Sequence, residues 1–280
     1  MNWNIVTDSS CDLKPADFIS ETEDVKLYSV PFIIHTGDKD YVDDENIDVN
    51  KLVDDMEAHD KTSRTSCPSP QTWLQCFKMK GHTIALTISK ELSGSFNSAH
   101  TAIQELKASD HEKKISLINS LSTGPALIAL VYDILWCIKA GMSFEEVVEH
   151  AKKCSETIHT VFALCSFNNL VRNGRMSPLA GFLARKLNFW GIGIGDNGKI
   201  KVKSKTHGSK NAIKSIIDDI RESTLNIKTV IISHCQNQTA AELLKQEILK
   251  IWGGAHIEIF ETRGLDSFYA ERHGLIVVYS

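Results

Sequence analysis

The chain has 280 residues, 42% of them hydrophobic and 24% charged, with a formal net charge of -4 and a pI of about 6.3. That balance is ordinary for a globular protein and gives no global pull toward nucleic acid or anionic lipid, while the length allows one large domain or two of usual size. Seven cysteines, at 11, 67, 76, 137, 154, 165 and 235, contain no C-x-x-C pair, which argues against a disulfide framework and a structural zinc site and fits a reducing cytoplasm.

The opening Met-Asn-Trp-Asn-Ile-Val-Thr-Asp lacks the basic start and apolar run of a secretory leader. The most apolar helix candidate, Pro125–Ile138, is interrupted by Asp133, so no transmembrane segment is expected. Asn4–Thr7 reads as a short strand ending in Asp8-Ser9-Ser10-Cys11-Asp12, and Leu13–Glu21 as a helix. A strand that ends in small polar residues delivers them to the carboxyl edge of an open α/β sheet, which makes Asp8 and Ser9 site candidates; capping by Ser9, Ser10 or Asp12 explains them equally well. Val25–Ile34 is extended, and Gly37–Asp44 reads as a solvated acidic turn before a helix at Val49–Ala58; its carboxylates lack the spacing of a calcium loop.

Lys61–Pro70 is a hydroxyl-dense loop in which Pro68 and Pro70 favour an extended conformation, leaving Thr65 and Ser66 to cap or to bind. Thr83–Ser89, Ser93-Gly94-Ser95 and Phe96–Leu106 form the sequence's centre of gravity, a buried strand, a turn and a helix. Free N–H groups at the start of such a helix favour an anion, Gly94 lets it approach, and Ser93 and Ser95 add hydroxyls. The alternative is an N-cap and ordinary turn chemistry. Ile115–Asn119 is a further strand, followed by helices at Pro125–Ala140 and Phe144–Thr157.

The rhythm then changes. Thr160–Cys165 reads as a strand, and Asn168–Arg172 and Leu179–Lys186 as short helices around Asn173-Gly174-Arg175-Met-Ser177. Phe189–Ile194 and Lys199–Ser204 form a hairpin through Gly195-Asp-Asn-Gly198, because Asn-Gly supplies the positive φ values of a tight turn. Helix Lys210–Arg221, strand Lys228–His234, helix Thr239–Trp252, strand His256–Phe260 and strand Leu275–Tyr279 complete the chain. The expected fold is α/β in two domains: 1–158 with a doubly wound, mostly parallel sheet, and 159–280 with a mixed sheet, packed closely around a cleft.

Several motifs stand in order along the chain. Thr7-Asp8-Ser9-Ser10-Cys11-Asp12-Leu13 resembles T-D-S-x-x-D-L, Val30-Pro31-Phe32 and Tyr41-Val-Asp43 resemble V-P-L and Y-x-D, and Thr65-Ser66-Cys67-Pro68-Ser69 resembles T-S-Q-P-S. Ile88–Ala99 is similar to I-S-s-x-L-S-G-T-y-q-S-A, Asn173-Gly174-Arg175-Met-Ser177 to G-G-R-I-S, and His273-Gly274 precedes the last strand. Together these resemble the DegV family, which binds fatty acids and includes the FakB carriers that present them to a partner kinase. The segment between Thr65 and Ser93 is shorter than the family pattern, and departures such as Asn173 and His207-Gly208 gather in the second half.

The resemblance implies a lipid tunnel between the two domains and a non-catalytic carrier. Its ligand would be a long-chain, palmitate-like fatty acid, with no other cofactor and no metal. Thr65 and Ser93 would hold the carboxylate with backbone N–H groups at Gly94 or Ser95, and Ser66 and His273 would be their neighbours. Arg175 would steady the site or form a structural ion pair. Hydroxyls and helix N–H groups suit an acceptor-only carboxylate, and burying an acyl chain contributes about 0.8 kcal/mol per methylene. Two other readings remain: a hydrolase using Ser93, His273 and Asp8, which lacks a G-x-S-x-G elbow, and a binder of a phosphorylated small molecule.

Overall fold

The computed structural model of the protein describes residues 2–20, 24–59, 63–177, 188–223 and 226–280. In chain order the first part contains β1 (Trp3–Asp8), β2 (Val25–Val30), β3 (Ile33–Thr36), β4 (Lys39–Val42), α1 (Val49–Ala58) and β5 (Arg64–Ser66). It continues with α2 (Pro70–Phe77), β6 (His82–Thr87), α3 (Ser95–Ser109), β7 (Ile115–Asn119), α4 (Pro125–Lys139) and α5 (Phe144–Thr157). Next come β8 (His159–Leu164), α6 (Asn168–Arg172), β9 (Phe189–Asp196), β10 (Lys199–His207) and α7 (Ser209–Glu222). The chain ends with β11 (Thr229–His234), α8 (Gln238–Ile251), β12 (His256–Glu261), α9 (Gly264–Ala270) and β13 (Leu275–Tyr279).

The strands form an α/β fold with a parallel four-stranded sheet, order β2-β1-β6-β7, and a mixed six-stranded sheet, order β10-β9-β8-β13-β11-β12. β1 and β6 occupy the centre of the parallel sheet and are buried along nearly their whole length, which is why both read as apolar runs instead of alternating ones. One face is covered by α2 and α3, where Trp73, Phe77, Ile103 and Leu106 pack on Val6 and Ala85. The other face carries α4 and α5. Helix α4 lies between the two sheets, since its cluster includes Ile84 and Leu86 from β6 as well as Ile231 and Val278 from β11 and β13. Its apolar character therefore reflects burial between layers, and no helix among the described residues is long and apolar enough to cross a membrane.

Local chemistry sets the boundaries. Ser143 caps α5 in a capping box: its hydroxyl accepts the Glu146 N–H at 3.3 Å while the Glu146 carboxylate accepts the Ser143 N–H at 2.8 Å. Asn197 and Gly198, with φ of 50° and 81°, make the turn between β9 and β10.

Three segments differ from expectation. Residues after Pro31 form a separate three-stranded antiparallel sheet, order β4-β3-β5, in place of an acidic turn, and its Asp43 is wholly buried instead of solvated. Of the expected helix Leu13–Glu21, residues 13–20 contain only a single 3-10 turn at Pro15–Asp17, a proline-led segment with too few turns to propagate, and Glu21 lies outside the described residues. The helix α9 is additional, while the expected helix Leu179–Lys186 lies outside the described residues.

Candidate ligand cavity between the sheets

The ends of β6 and β7, the three-stranded sheet, α9 and the β9–β10 hairpin enclose one apolar cavity holding about 780 Å³ of atom-free space, its mouth included. Phe32, Ile88, Leu92 and Leu121 line it from the parallel-sheet side; Phe162, Leu164, Ile200, Leu265 and Ile276 line it from the other. The sequence makes this room with glycines at every second position of β9. Gly193 faces Phe162 across the ladder, where a Cβ would fall 2.3 Å from the ring, and Gly195 lines the cavity itself. On β10, Ile200 and Val202 turn inward and Lys199, Lys201 and Lys203 outward, the alternation of a half-buried strand.

The hairpin tip closes the cavity against the parallel sheet. The Ser89 hydroxyl donates to the Gly198 carbonyl at 2.7 Å, Lys199 lies 3.6 Å from Glu91, and Ser122 and Thr160 share a hydrogen bond of 2.8 Å. Any side chain at position 198 would collide with Ser89, because a Cβ there would lie 2.5 Å from its hydroxyl.

Thr65, Ser93, Arg175 and Tyr269 form one polar patch on the wall, and Ser122, Thr123, Thr160, Lys199 and Asp266 line it elsewhere. Thr65 and Tyr269 share a hydroxyl hydrogen bond of 3.0 Å, and the Arg175 guanidinium stands 5.9 Å from the Tyr269 ring centroid. Burial raises the Tyr269 pKa, against smaller opposing effects of Thr65 and Arg175, so its hydroxyl keeps its proton and remains a donor. Arg175 donates to the carbonyls of Leu92, at 3.1 Å, and Asn173, which fixes it beside Ser93. The Ser93 hydroxyl accepts the Ser95 N–H at 3.2 Å, leaving its own hydrogen for another acceptor. Gly94 is exposed at the start of α3.

Thr65, Ser93 and Arg175 thus lie together on one cavity wall, with Gly94 adjoining Ser93 in the chain. The other expected residues do not. Ser95 is buried and gives its hydroxyl to Asp8 at 2.6 Å; Asp8 also accepts Ser10 at 2.5 Å and the Ile88 N–H at 3.1 Å. Burial pushes the Asp8 carboxyl up to about 6, opposed by these hydrogen bonds. Ser9 accepts the Phe32 N–H at 3.0 Å. Ser66 points to the opposite face of β5, where it meets His35, because side chains alternate along a strand. His273 is exposed with φ of 74°, its N–H bonded to the Cys235 carbonyl and its carbonyl to Asn237, and it does not line the cavity. A Ser93–His273–Asp8 triad is therefore not assembled.

The residue missing from sequence reasoning is Tyr269, together with the whole of α9. Leu265, Phe268 and Tyr269 have helical i, i+3, i+4 spacing, but no capping side chain precedes them. The cap comes from Asp43, whose carboxylate accepts the N–H groups of Gly264 and Leu265 at 2.9 Å each. Arg263, wholly buried, stands beside it: it donates to Ser29 at 2.8 Å and to the Asp43 carbonyl at 2.7 Å, while its own N–H reaches Asp12 at 2.8 Å. Burial raises the carboxyls of Asp12 and Asp266, which face each other behind Gly124, and Asp266 accepts the Thr123 hydroxyl at 2.7 Å. Among the described residues no group of three or more His, Cys, Asp or Glu could hold a metal ion.

The model of the DegV family, described as an uncharacterised protein family, matches residues 2–272. The chain belongs to the DegV family. A DegV domain-containing protein of Streptococcus pyogenes serotype M1 is 35% identical over 280 residues, covering all of this chain and 99% of its own. Among solved DegV structures, the Streptococcus pneumoniae fatty acid kinase B3 protein loaded with linoleic acid superimposes with a TM-score of 0.94 at 32% identity, covering 100% of this chain and 99% of that one. A DegV protein of Eubacterium eligens loaded with heptadecanoic acid gives 0.92 at 27% identity, covering 99% of each chain.

Proposed function

We propose that the protein is a fatty-acid carrier that buries a long, palmitate-like acyl chain in this cavity and holds its carboxylate between Thr65, Ser93 and Tyr269. The observation that supports the reading most is the pairing of a largely apolar wall with the hydroxyls of Thr65, Ser93 and Tyr269 at one place on it. A carboxylate accepts hydrogen bonds only, and hydroxyls of Ser93, Thr65 and Tyr269 can donate to it while the N–H groups at Gly94 extend the same set. Arg175 supplies positive charge beside Tyr269, and the chain itself contributes about 0.8 kcal/mol per buried methylene. His273, Ser66, Ser95, Asp8 and Ser9 have no place in this reading, and Tyr269 takes the position beside Thr65 that the family resemblance had given to a histidine. The relatives loaded with linoleic and heptadecanoic acid support the ligand class.

The Streptococcus pneumoniae neighbour's name supports a further step, in which the carboxylate is presented to a partner fatty-acid kinase for conversion to an acyl phosphate in the cytoplasm. Native mass spectrometry of the purified protein tests the carrier reading. One fatty acid per chain, lost in Thr65→Val, is the expected result; an empty protein that refuses added palmitate and oleate would contradict it.

A further inference from the structure

Thr65 faces the cavity, so Ser66 belongs to the outer face of the three-stranded sheet. There the register sets Val42, Ile33 and Ser66 in one row and Asp40, His35 and Arg64 in the next. Asp40 Oδ1 is 2.6 Å from His35 Nδ1, and Ser66 Oγ is 2.9 Å from His35 Nε2. A carboxylate only accepts, so Nδ1 carries the ring hydrogen, Nε2 offers its lone pair, and Ser66 donates. The hydroxyl, imidazole and carboxylate are thereby linked in the order that activates a serine nucleophile.

The surroundings fit a reactive group better than a buried prop. Ser66 is exposed, and beside it Ile33 and Val42 stand 36% and 46% exposed, an apolar pair directly across the ladder from each other. Arg64, exposed on the same face opposite His35, contributes the positive charge there.

We propose that Ser66, His35 and Asp40 form a second reactive centre, separate from the cavity, that acts on small activated carboxylic esters whose apolar group rests on Ile33 and Val42. Ser66 Oγ bonds to the ester carbonyl carbon as its proton passes to His35 Nε2. The tetrahedral oxyanion collapses, the bond to the alcohol oxygen breaks, and His35 returns the proton to the departing alkoxide. Water, giving a proton to His35, then attacks the acyl carbon; the acyl–Ser66 bond breaks and Ser66 recovers its proton. The sum is ester plus water to acid plus alcohol. Asp40 is a positioning residue, fixing the tautomer and orientation of His35.

The test uses the full-length protein with a fluorophosphonate probe and with p-nitrophenyl butyrate. A single adduct mapped to Ser66 by peptide mass spectrometry, absent in Ser66→Ala and formed roughly a hundredfold more slowly in His35→Gln, is expected. Should His35→Gln melt early by circular dichroism, Asp40→Asn replaces it; the Asp40 side chain is 68% exposed, and its labelling should also slow, with kcat for p-nitrophenyl butyrate falling and KM unchanged. No adduct, an adduct on another serine, or unchanged rates in the folded variants would overturn the proposal. Because Ser66 lies outside the cavity, fatty-acid binding by Ser66→Ala reports on the carrier reading separately.

Discussion

Beneath the β6–α3 loop, Asp8 is wholly buried and its two carboxylate oxygens are held by Ser10, Ser95 and the Ile88 N–H. A few residues away, on the cavity side of the same loop, Ser93 keeps a hydroxyl hydrogen unspent and Thr65 and Tyr269 have chiefly each other. Both regions are built around side-chain hydroxyls. One is saturated with internal partners, as burial of a charge requires; the other retains donors that only an outside acceptor can use. The difference teaches that polar groups near a strand end can be consumed by the protein's own buried carboxylates, as Asp43 also does with the first N–H groups of α9.

If buried carboxylates at these positions are structural, unpairing the one at α9 should cost stability. Arg263→Ala leaves the buried Asp43 carboxylate without its cation and should lower the unfolding free energy by about 3–5 kcal/mol, read by urea denaturation. A change under about 1 kcal/mol would break the comparison. Tyr269→Phe acts on the other region: removing one donor to a charged acceptor should weaken fatty-acid binding by about 1.5–3 kcal/mol, roughly ten- to a hundredfold, and leave the melting temperature nearly unchanged.

The buried carboxyls also set a pH dependence. Burial raises Asp8, Asp12 and Asp266 above the ordinary value of 3.8, so their contribution to stability is present below that value and is lost as pH rises through the folded values, about 6 for Asp8. Asp12→Asn keeps an acceptor for the Arg263 N–H and gives Asp266 a donor. The variant should therefore gain stability relative to the wild type between pH 5 and pH 8, in paired denaturation curves. A constant difference would show that the pair does not titrate. The smallest effect is Ser66→Ala, which should alter stability by less than about 0.5 kcal/mol, since the residue is exposed.

Much of this was legible in the sequence where periodicity is strong. Residues 49–58, 115–119, 144–157 and 275–279 form the expected elements at the expected bounds, because caps and apolar spacing act locally. The loop of Ser93 and Gly94 was legible as an anion-binding turn; that Ser95 faces Asp8 was not, since the partner lies 87 positions away. Helix α9 stayed hidden because Asp43, 221 residues distant, supplies its cap, and with it Tyr269 was missed. The strands β3 and β4 are four residues each around Gly37, too short to separate from a turn by alternation. Position 273 follows a helix end with positive φ, and no pattern in Arg-His-Gly tells which way its side chain faces.

Adjacent residues on β5 offer the most direct check on the carrier reading. Delipidated wild-type protein, Thr65→Val and Ser66→Ala would each be titrated with oleate by isothermal calorimetry. Binding of one oleate per chain, weakened at least tenfold by Thr65→Val and unchanged by Ser66→Ala, is the predicted result. Equal affinity in all three, or no binding to the wild type, would contradict a carboxylate held at the Thr65–Tyr269 wall.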